Sequence, residues 1–433
     1  MFLAIDLGSK SFKAGVFDTE LRLLGTGSGP LEQTCSAGGR IELDVEHVVA
    51  AFKAAVRGAI SEAAIERDAL NAVALTSQAQ TFTVLDSEGH AKMPFISWQD
   101  GRAYEACETL KKEVALADFA EHSSFGQILS ALQISHIKNL QVTLEGFILR
   151  NDRIVDLATY FVLKCTGHAV IDENLAAMGG LFSLKLNDWL PAAINTCHLY
   201  VDQMAKVVPV GTVAAKTDSG AIEFGLPEGV PVVLAGNDQT SGAFGIPLHE
   251  HGDLLITLGA ALVAYACVDG DTDLKAPAII RGPYPGGLNY ILANDSCGGN
   301  VVDWVRSVLP GCEEQEAFFA QVAKASPGCD GLVFDADLPS ENGAWRNIGL
   351  HHGIPELARS VVGNISNRVV ALVRTLEIDL SGKKVVAAGG GSRSSVWIEM
   401  LSEMLDVEIK VIEADPRHGA ARMAKIAIAG RCK

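Results

Sequence analysis

Ala4-Ile-Asp6-Leu-Gly8-Ser9-Lys-Ser-Phe-Lys13-Ala-Gly-Val-Phe-Asp18 reads as a strand, a small-residue turn and a second strand, and its pattern returns in the second half of the chain. The later stretch, Leu255-Ile-Thr-Leu-Gly259-Ala260-Ala-Leu-Val-Ala-Tyr-Ala-Cys-Val-Asp269, has the same length. It matches the first at Ile5/Ile256, Leu7/Leu258, Gly8/Gly259 and Asp18/Asp269. Apolar runs interrupted by a glycine turn are hairpin signals. One hairpin opening the chain and its copy just past the middle predict a duplicated α/β domain with a cleft between the copies.

Between the hairpins lies Pro231-Val-Val-Leu-Ala-Gly236-Asn-Asp238-Gln239-Thr-Ser-Gly-Ala-Phe-Gly245. Its aliphatic run predicts a buried strand, and the small residues after the acid predict the start of a helix. Asp238 then sits at the carboxyl end of a strand, where α/β proteins bind ligands. A carboxylate there can accept a proton from a substrate hydroxyl, bind a metal or cap the helix. Asp6 is the one acid in an otherwise apolar strand, a position that costs free energy unless a ligand or hydrogen bonds compensate. With Gly8, Ser9 and Lys13 beside it, the first turn reads either as a phosphate cradle with a metal-water acid or as a polar hairpin tip. No G-x-x-x-x-G-K-[ST] occurs, which excludes a P-loop.

With 433 residues, 48% of them hydrophobic, the chain is long enough for two or three domains. A net charge of −17 argues against a nucleic-acid partner. Nine cysteines without a C-x-x-C pair suit reduced thiols in a cytoplasm. The first residues carry no basic region followed by a long apolar run, so neither a leader nor a membrane partner is expected.

Further along, Ser77-Gln-Ala-Gln80-Thr-Phe82 sets amides and hydroxyls at a strand end, and Trp98-Gln-Asp100-Gly-Arg102 puts an indole, a carboxylate and a guanidinium within five positions. Sugars are gripped by such groups, apolar faces on a ring and hydroxyls on charges. A structural Asp100–Arg102 pair is the competing reading. Helices are expected over about 45–69, 156–166, 356–377 and 419–429, and from the glycine turn at 389–391 to Leu405. No histidine has metal-ligand spacing.

In this order, IDLGSKSFKAGVFD, SQAQTFTVLD, PFISWQDGRA, GNDQTSGAFG, TLGAALVAYA and AAGGGSRSSVWIEMLSEML resemble the FGGY family of carbohydrate kinases across nearly the whole chain, the xylulokinase type most of all. The resemblance implies two actin-like (ribonuclease-H-like, ASKHA) α/β domains, at 1–241 for the sugar and 242–433 for the nucleotide. In their cleft Mg²⁺-assisted transfer of the γ-phosphoryl group of ATP to a sugar hydroxyl would occur. Residue by residue it makes Asp238 the general base, with Asp6 and Asp238 beside the metal. Gln80, Trp98, Asp100, Arg102 and Gln239 fall to the sugar. Gly8, Ser9 and Lys13 in the first hairpin, Gly259 and Ala260 in the second, Gly299 and Asp303 at a helix start, and Gly390 and Ser394 at the adenosine turn fall to the nucleotide. Thr166-Gly-His-Ala-Val-Ile-Asp172 resembles the family's T-G-x-x-x-x-D segment on the substrate side.

There are departures. Gly259-Ala260-Ala261 replaces the usual Gly-Thr-Gly or Gly-Thr-Ser, removing a hydroxyl that would bond a phosphate. The segment 327–353 is shortened, with Ser340-Glu-Asn342 in place of a G-E-R-x-P loop, and Gly363 stands where an acid is usual. These departures keep a second reading open, a nucleotide-binding regulatory protein of the same fold without turnover. The shortening would open either the nucleotide-facing or the dimer-facing surface; the partners expected are a sugar and ATP, with a homodimer left open.

Overall fold

The computed structural model describes residues 1–246, 248–270, 278–337 and 342–430. Strands β1 (Phe2–Leu7), β2 (Ser11–Phe17) and β3 (Leu23–Pro30) form an antiparallel meander. Helix α1 (Val45–Glu62) starts at Asp44, whose carboxylate accepts from the N–H groups of Glu46 and His47. Its buried Val48, Ala51, Phe52, Ala55, Val56 and Ala59 recur at helical spacing and cover the sheet. β4 (Ala72–Ser77) and β5 (Pro231–Asn237) then run parallel to β1, so that the sheet order is β3-β2-β1-β4-β5, with an edge strand Val213–Lys216 beyond β5. Helix α2 (Asp238–Gly245) follows β5 directly.

The second sheet repeats this plan. β6 (Leu254–Leu258), β7 (Leu262–Val268) and β8 (Leu288–Asp295) are the antiparallel meander. Helices α3 (Gly299–Val308) and α4 (Ile354–Thr375) follow, then β9 (Val385–Ala388), helix α5 (Ser395–Leu405) and β10 (Ile409–Val411). The order is β8-β7-β6-β9-β10, strand for strand that of the first sheet, with Ile280–Tyr284 as the extra edge beside β8. The predicted duplication is therefore present in the topology. The two tips differ in length: Leu7 pairs with Phe12 across four residues, whereas Leu258 pairs with Leu262 across three. The sequence match thus slips by one position after the turn, and the Asp18/Asp269 match is not a structural equivalence.

The faces of the first sheet divide by the two-residue period of its strands. Leu3, Ile5 and Leu7 join the core under α1, while Phe2, Ala4, Ala72, Ala74, Val233 and Ala235 face a core shared with Leu255, Tyr265, Val386 and Ala388 of the second sheet. Helix α6 (Pro416–Ala429) fills that shared core, packing on α2, β1, β4 and β5. The last helix of the chain is therefore a layer of the first sheet, although it falls in 242–433. Small residues permit this: a Cβ on Gly419 would lie 1.7 Å from the carbonyl oxygen of Ser241. The first domain also carries a five-stranded sheet of Gln33–Ser36, Arg40–Leu43, Phe95–Ile96, Phe82–Leu85 and Arg153–Asp156, which supports the loop holding Trp98.

Candidate active site

The strand before Asp238 is irregular. Register between β5 and β4 shifts between Leu234 and Asn237, and Gly236 has a φ of +71°, a left-handed conformation that costs a side-chain-bearing residue free energy. Such a bulge re-aims the side chains beyond it. Two buried side chains hold the bend: Asp172 accepts from Gly236 N–H at 3.1 Å, and Asn174 accepts from Asn237 N–H at 2.8 Å. Asp172 belongs to the segment resembling T-G-x-x-x-x-D, and burial raises its carboxyl pKa to about 7. Its oxygens serve Leu175 and Gly236 N–H groups, so its part is to shape the bend.

Asp238 is not the helix cap. Asn237 takes that position and accepts from Thr240 N–H at 2.8 Å. The Asp238 carboxylate accepts from Gln239 N–H at 2.8 Å and has no other hydrogen bond among the described residues. Burial raises its pKa, and the Gln239 N–H partly offsets this. Asp6, at the end of β1, is raised to about 7, first by burial and then by the charge of Asp238, while Lys13 pulls it down. Lys13 is the cross-strand partner of Asp6 in the hairpin. The charge of Asp238 thus reaches Asp6 and opposes its ionisation.

A divalent cation fits beside Asp6. Asp6 Oδ1 is buried and has no hydrogen-bond partner, and a cation would relieve the repulsion between the two acids. No cluster of three or more ligating side chains exists among the described residues. The remaining ligands would come from water and phosphate oxygens, which is how Mg²⁺ is usually held.

Around the first hairpin tip, Ser9 Oγ accepts from Trp98 Nε1 at 3.2 Å and Gly8 O accepts from Gln78 Nε2 at 3.3 Å. Trp98 remains 40% exposed, leaving indole area for a ligand. Gln80, with a φ of +68°, donates to Met178 O at 3.1 Å and is half-buried. Asp100 and Arg102 form the structural pair that was the competing reading of this stretch. Asp100 accepts from the Arg102 guanidinium, from Arg102 N–H and from Ile41 N–H, and Arg102 also pairs with Glu42 at 2.7 Å. With the Asp100 side chain fully buried, the pair braces the wall behind Trp98. Gln78 was not singled out by sequence reasoning, although its place directly after an all-buried strand was a signal.

On the second domain, Gly259, Ala260, Gly299, Asp303 and Gly390 line one cavity of about 160 Å³, together with Gln315 and Trp397. Gly299 N–H donates to Gly259 O at 2.7 Å, so the start of α3 is docked on the tip of the β6–β7 hairpin. The Ser394 hydroxyl caps α5 by accepting from Trp397 N–H at 3.3 Å, and the residue is buried and stands outside the residues lining the cavity. Trp397, one turn on, is among them. Of the shortened segment, Ser340 and Glu341 lie outside the described residues.

A duplicated 3-2-1-4-5 sheet, two acids at the first sheet, Asp6 and Asp238, and a small cavity at the second hairpin fit a two-domain phosphotransferase of the actin-like class. Residues 1–245 match the model of the FGGY family of carbohydrate kinases, N-terminal domain. The match takes in more than half of the chain, which belongs to the FGGY family of carbohydrate kinases and is a kinase with an alcohol group as acceptor. Among relatives, xylulose kinase of Escherichia coli K12 is 23% identical over 449 residues, spanning 99% of this chain and 90% of that one. L-fuculokinase of the same organism is 22% identical over 360 residues, spanning 79% and 74%. The solved xylulose kinase of Rhodospirillum rubrum superposes with a TM-score of 0.91 at 21% identity, covering 99% of this chain and 89% of the other. The reading without turnover is not favoured by this membership. No helix among the described residues is long and apolar enough to cross a membrane.

Proposed function

We propose that the chain transfers the γ-phosphoryl group of ATP to a hydroxyl of a ketose, with xylulose the first candidate. The observation that carries this reading is the pair Asp6 and Asp238: two opposed carboxylates, one with a buried oxygen lacking any donor, between a wall bearing an open indole and a cavity lined by a second hairpin tip.

In this reading Asp238 accepts the proton of the attacking hydroxyl, and its raised pKa suits a base that must also release that proton. Gln239, Gln80 and Trp98 orient the sugar, while Asp100 and Arg102 stiffen the wall. Gly8, Ser9 and Lys13 on one side and Gly259 and Ala260 on the other offer N–H groups and a charge to the triphosphate, while Gly299 docks the start of α3 beside them. Asp303 and Gly390 border the nucleoside. Asp6 would hold Mg²⁺, with Asp238 close by; when bound, the ion neutralises charge on the phosphate oxygens. Domains at 1–241 and 242–433, with helix 416–429 returned to the first, would close on both ligands and exclude water. Seven of the eight described cysteines are buried and all are free, which suits a reducing cytoplasm.

The test is ADP release across a panel of ketoses, aldoses and polyols, with Asp238→Asn alongside. The substitution should leave both ligands bound and remove at least ~10²-fold of the rate. Near-normal turnover in that variant, or no ketose accepted, would overturn the proposal.

A further inference from the structure

Gln78 follows β4 directly, and its backbone N–H donates to Leu7 O on β1 at 3.0 Å. Its Nε2 donates to Gly8 O at 3.3 Å. That contact orients the amide, because the flipped form would set Oε1 against a carbonyl, acceptor to acceptor. Oε1 is therefore the other end, in a side chain only 5% exposed, and it has no donor among the described residues. One strand over, Asp6 Oδ1 is also buried and unpartnered. Its second oxygen lies near the same glycine, 3.8 Å from where a Cβ on Gly8 would stand.

Two acceptors, one anionic and one neutral, thus flank Gly8, and the protein supplies a donor to neither. Each costs on the order of 1–3 kcal/mol when left unmade, so the pair calls for donors that the protein does not supply, such as water. Sugar hydroxyls fit less well, since the buried Gln78 amide is tied to Gly8 O, beside the Asp6 carboxylate, where a small, strongly polarised donor is favoured. Water bound to a cation fits well: it offers two polarised O–H donors and has no need of a bulky path. We propose that Gln78 Oε1 accepts a hydrogen bond from the water shell of the divalent cation that Asp6 would hold. Gln78 is then a positioning residue for the metal–nucleotide complex. The inference rests on the kinase reading.

Mn²⁺ serves as the probe, with its binding in the presence of ADP followed by electron paramagnetic resonance and ketose binding followed separately by calorimetry. Gln78→Leu should weaken Mn²⁺ by roughly 10–100-fold, the usual effect of losing an outer-shell partner, with ketose affinity unchanged. Gln78→Glu, which keeps an acceptor but gives up the amide donor to Gly8, should stay within a few-fold of the parent. Unchanged Mn²⁺ binding in Gln78→Leu overturns the inference, as does a loss confined to ketose affinity. Equal losses in both variants would mean that the tether to Gly8 is what matters, and a tenfold loss in Gln78→Glu alone overturns the inference even if Gln78→Leu does not fold. A parent chain that binds no Mn²⁺ with ADP would sink the kinase reading itself.

Discussion

Asp6→Asn should stabilise the ligand-free protein, and by more as the pH rises. Burial, with Asp238 adding to it, raises the Asp6 carboxyl to about 7. A carboxyl with a higher pKa in the folded state keeps a proton that the unfolded chain releases, so folding stability falls as the pH climbs from the ordinary carboxylate value to about 7. At about 1.4 kcal/mol per pH unit, the interval of roughly three units is worth ~4 kcal/mol at pH 8, while at pH 5 only ~1.5 kcal/mol has been lost. These are ceilings, because solvent and local rearrangement soften a buried charge. Asparagine has the same shape and does not titrate, so the variant's advantage should grow between pH 5 and pH 8. Denaturation midpoints at four pH values, in chelator and without nucleotide, measure it. Adding Mg²⁺ and ADP should then stabilise the parent and leave the variant nearly unmoved. An advantage that does not change with pH, or a variant less stable at pH 8, would refute the reasoning.

Ala260→Thr restores a hydroxyl at the second hairpin tip, where Ala260 is exposed beside the cavity. One added hydrogen bond to a phosphate, about 1 kcal/mol or somewhat more, should lower KM for ATP several-fold in steady-state assays. Gly419→Ala places a methyl group 1.7 Å from Ser241 O, with backbone in the way. A loss of several kcal/mol is expected, since overpacking that backbone must absorb is among the large destabilising effects, and thermal denaturation or soluble yield will read it.

Much of the architecture was legible because apolar period and turn residues acted together. The two hairpins, the strand before Asp238 and the helix ending at Leu405 all carry strong local signals, and they fall where expected. The predicted helix over 45–69 stops at Glu62, because Ala63 and Ala64 unwind it and Ala64 takes a φ of +51°. For Asp6 and Asp238 the residue type and strand-end position were visible, but their mutual influence is a matter of three-dimensional distance. Asp100–Arg102 shows the limit from the other side. The same five-residue cluster reads as a sugar grip or a brace until burial decides, and here Ile41 N–H and Glu42, some 60 positions earlier, complete the brace. Ser394 was assigned to the nucleotide from the resemblance, and the structure shows its hydroxyl also capping the helix through Trp397 N–H. The fold of α6 onto the first sheet was not legible, because alanine and glycine spacing does not say which sheet receives it.

That last helix has a consequence for biogenesis. Residues 416–429 leave the ribosome after everything else that is described, yet Ala420, Ala421, Met423 and Ala424 supply packing for strands made some 180 to 420 residues earlier. The amino-terminal half must therefore wait, with Phe2, Ala74 and Val233 uncovered on one face, until residues 416–429 have been made. A fragment ending at residue 245 would lack its own lid, and the peptide most suited to rescue it in trans is the segment 416–429.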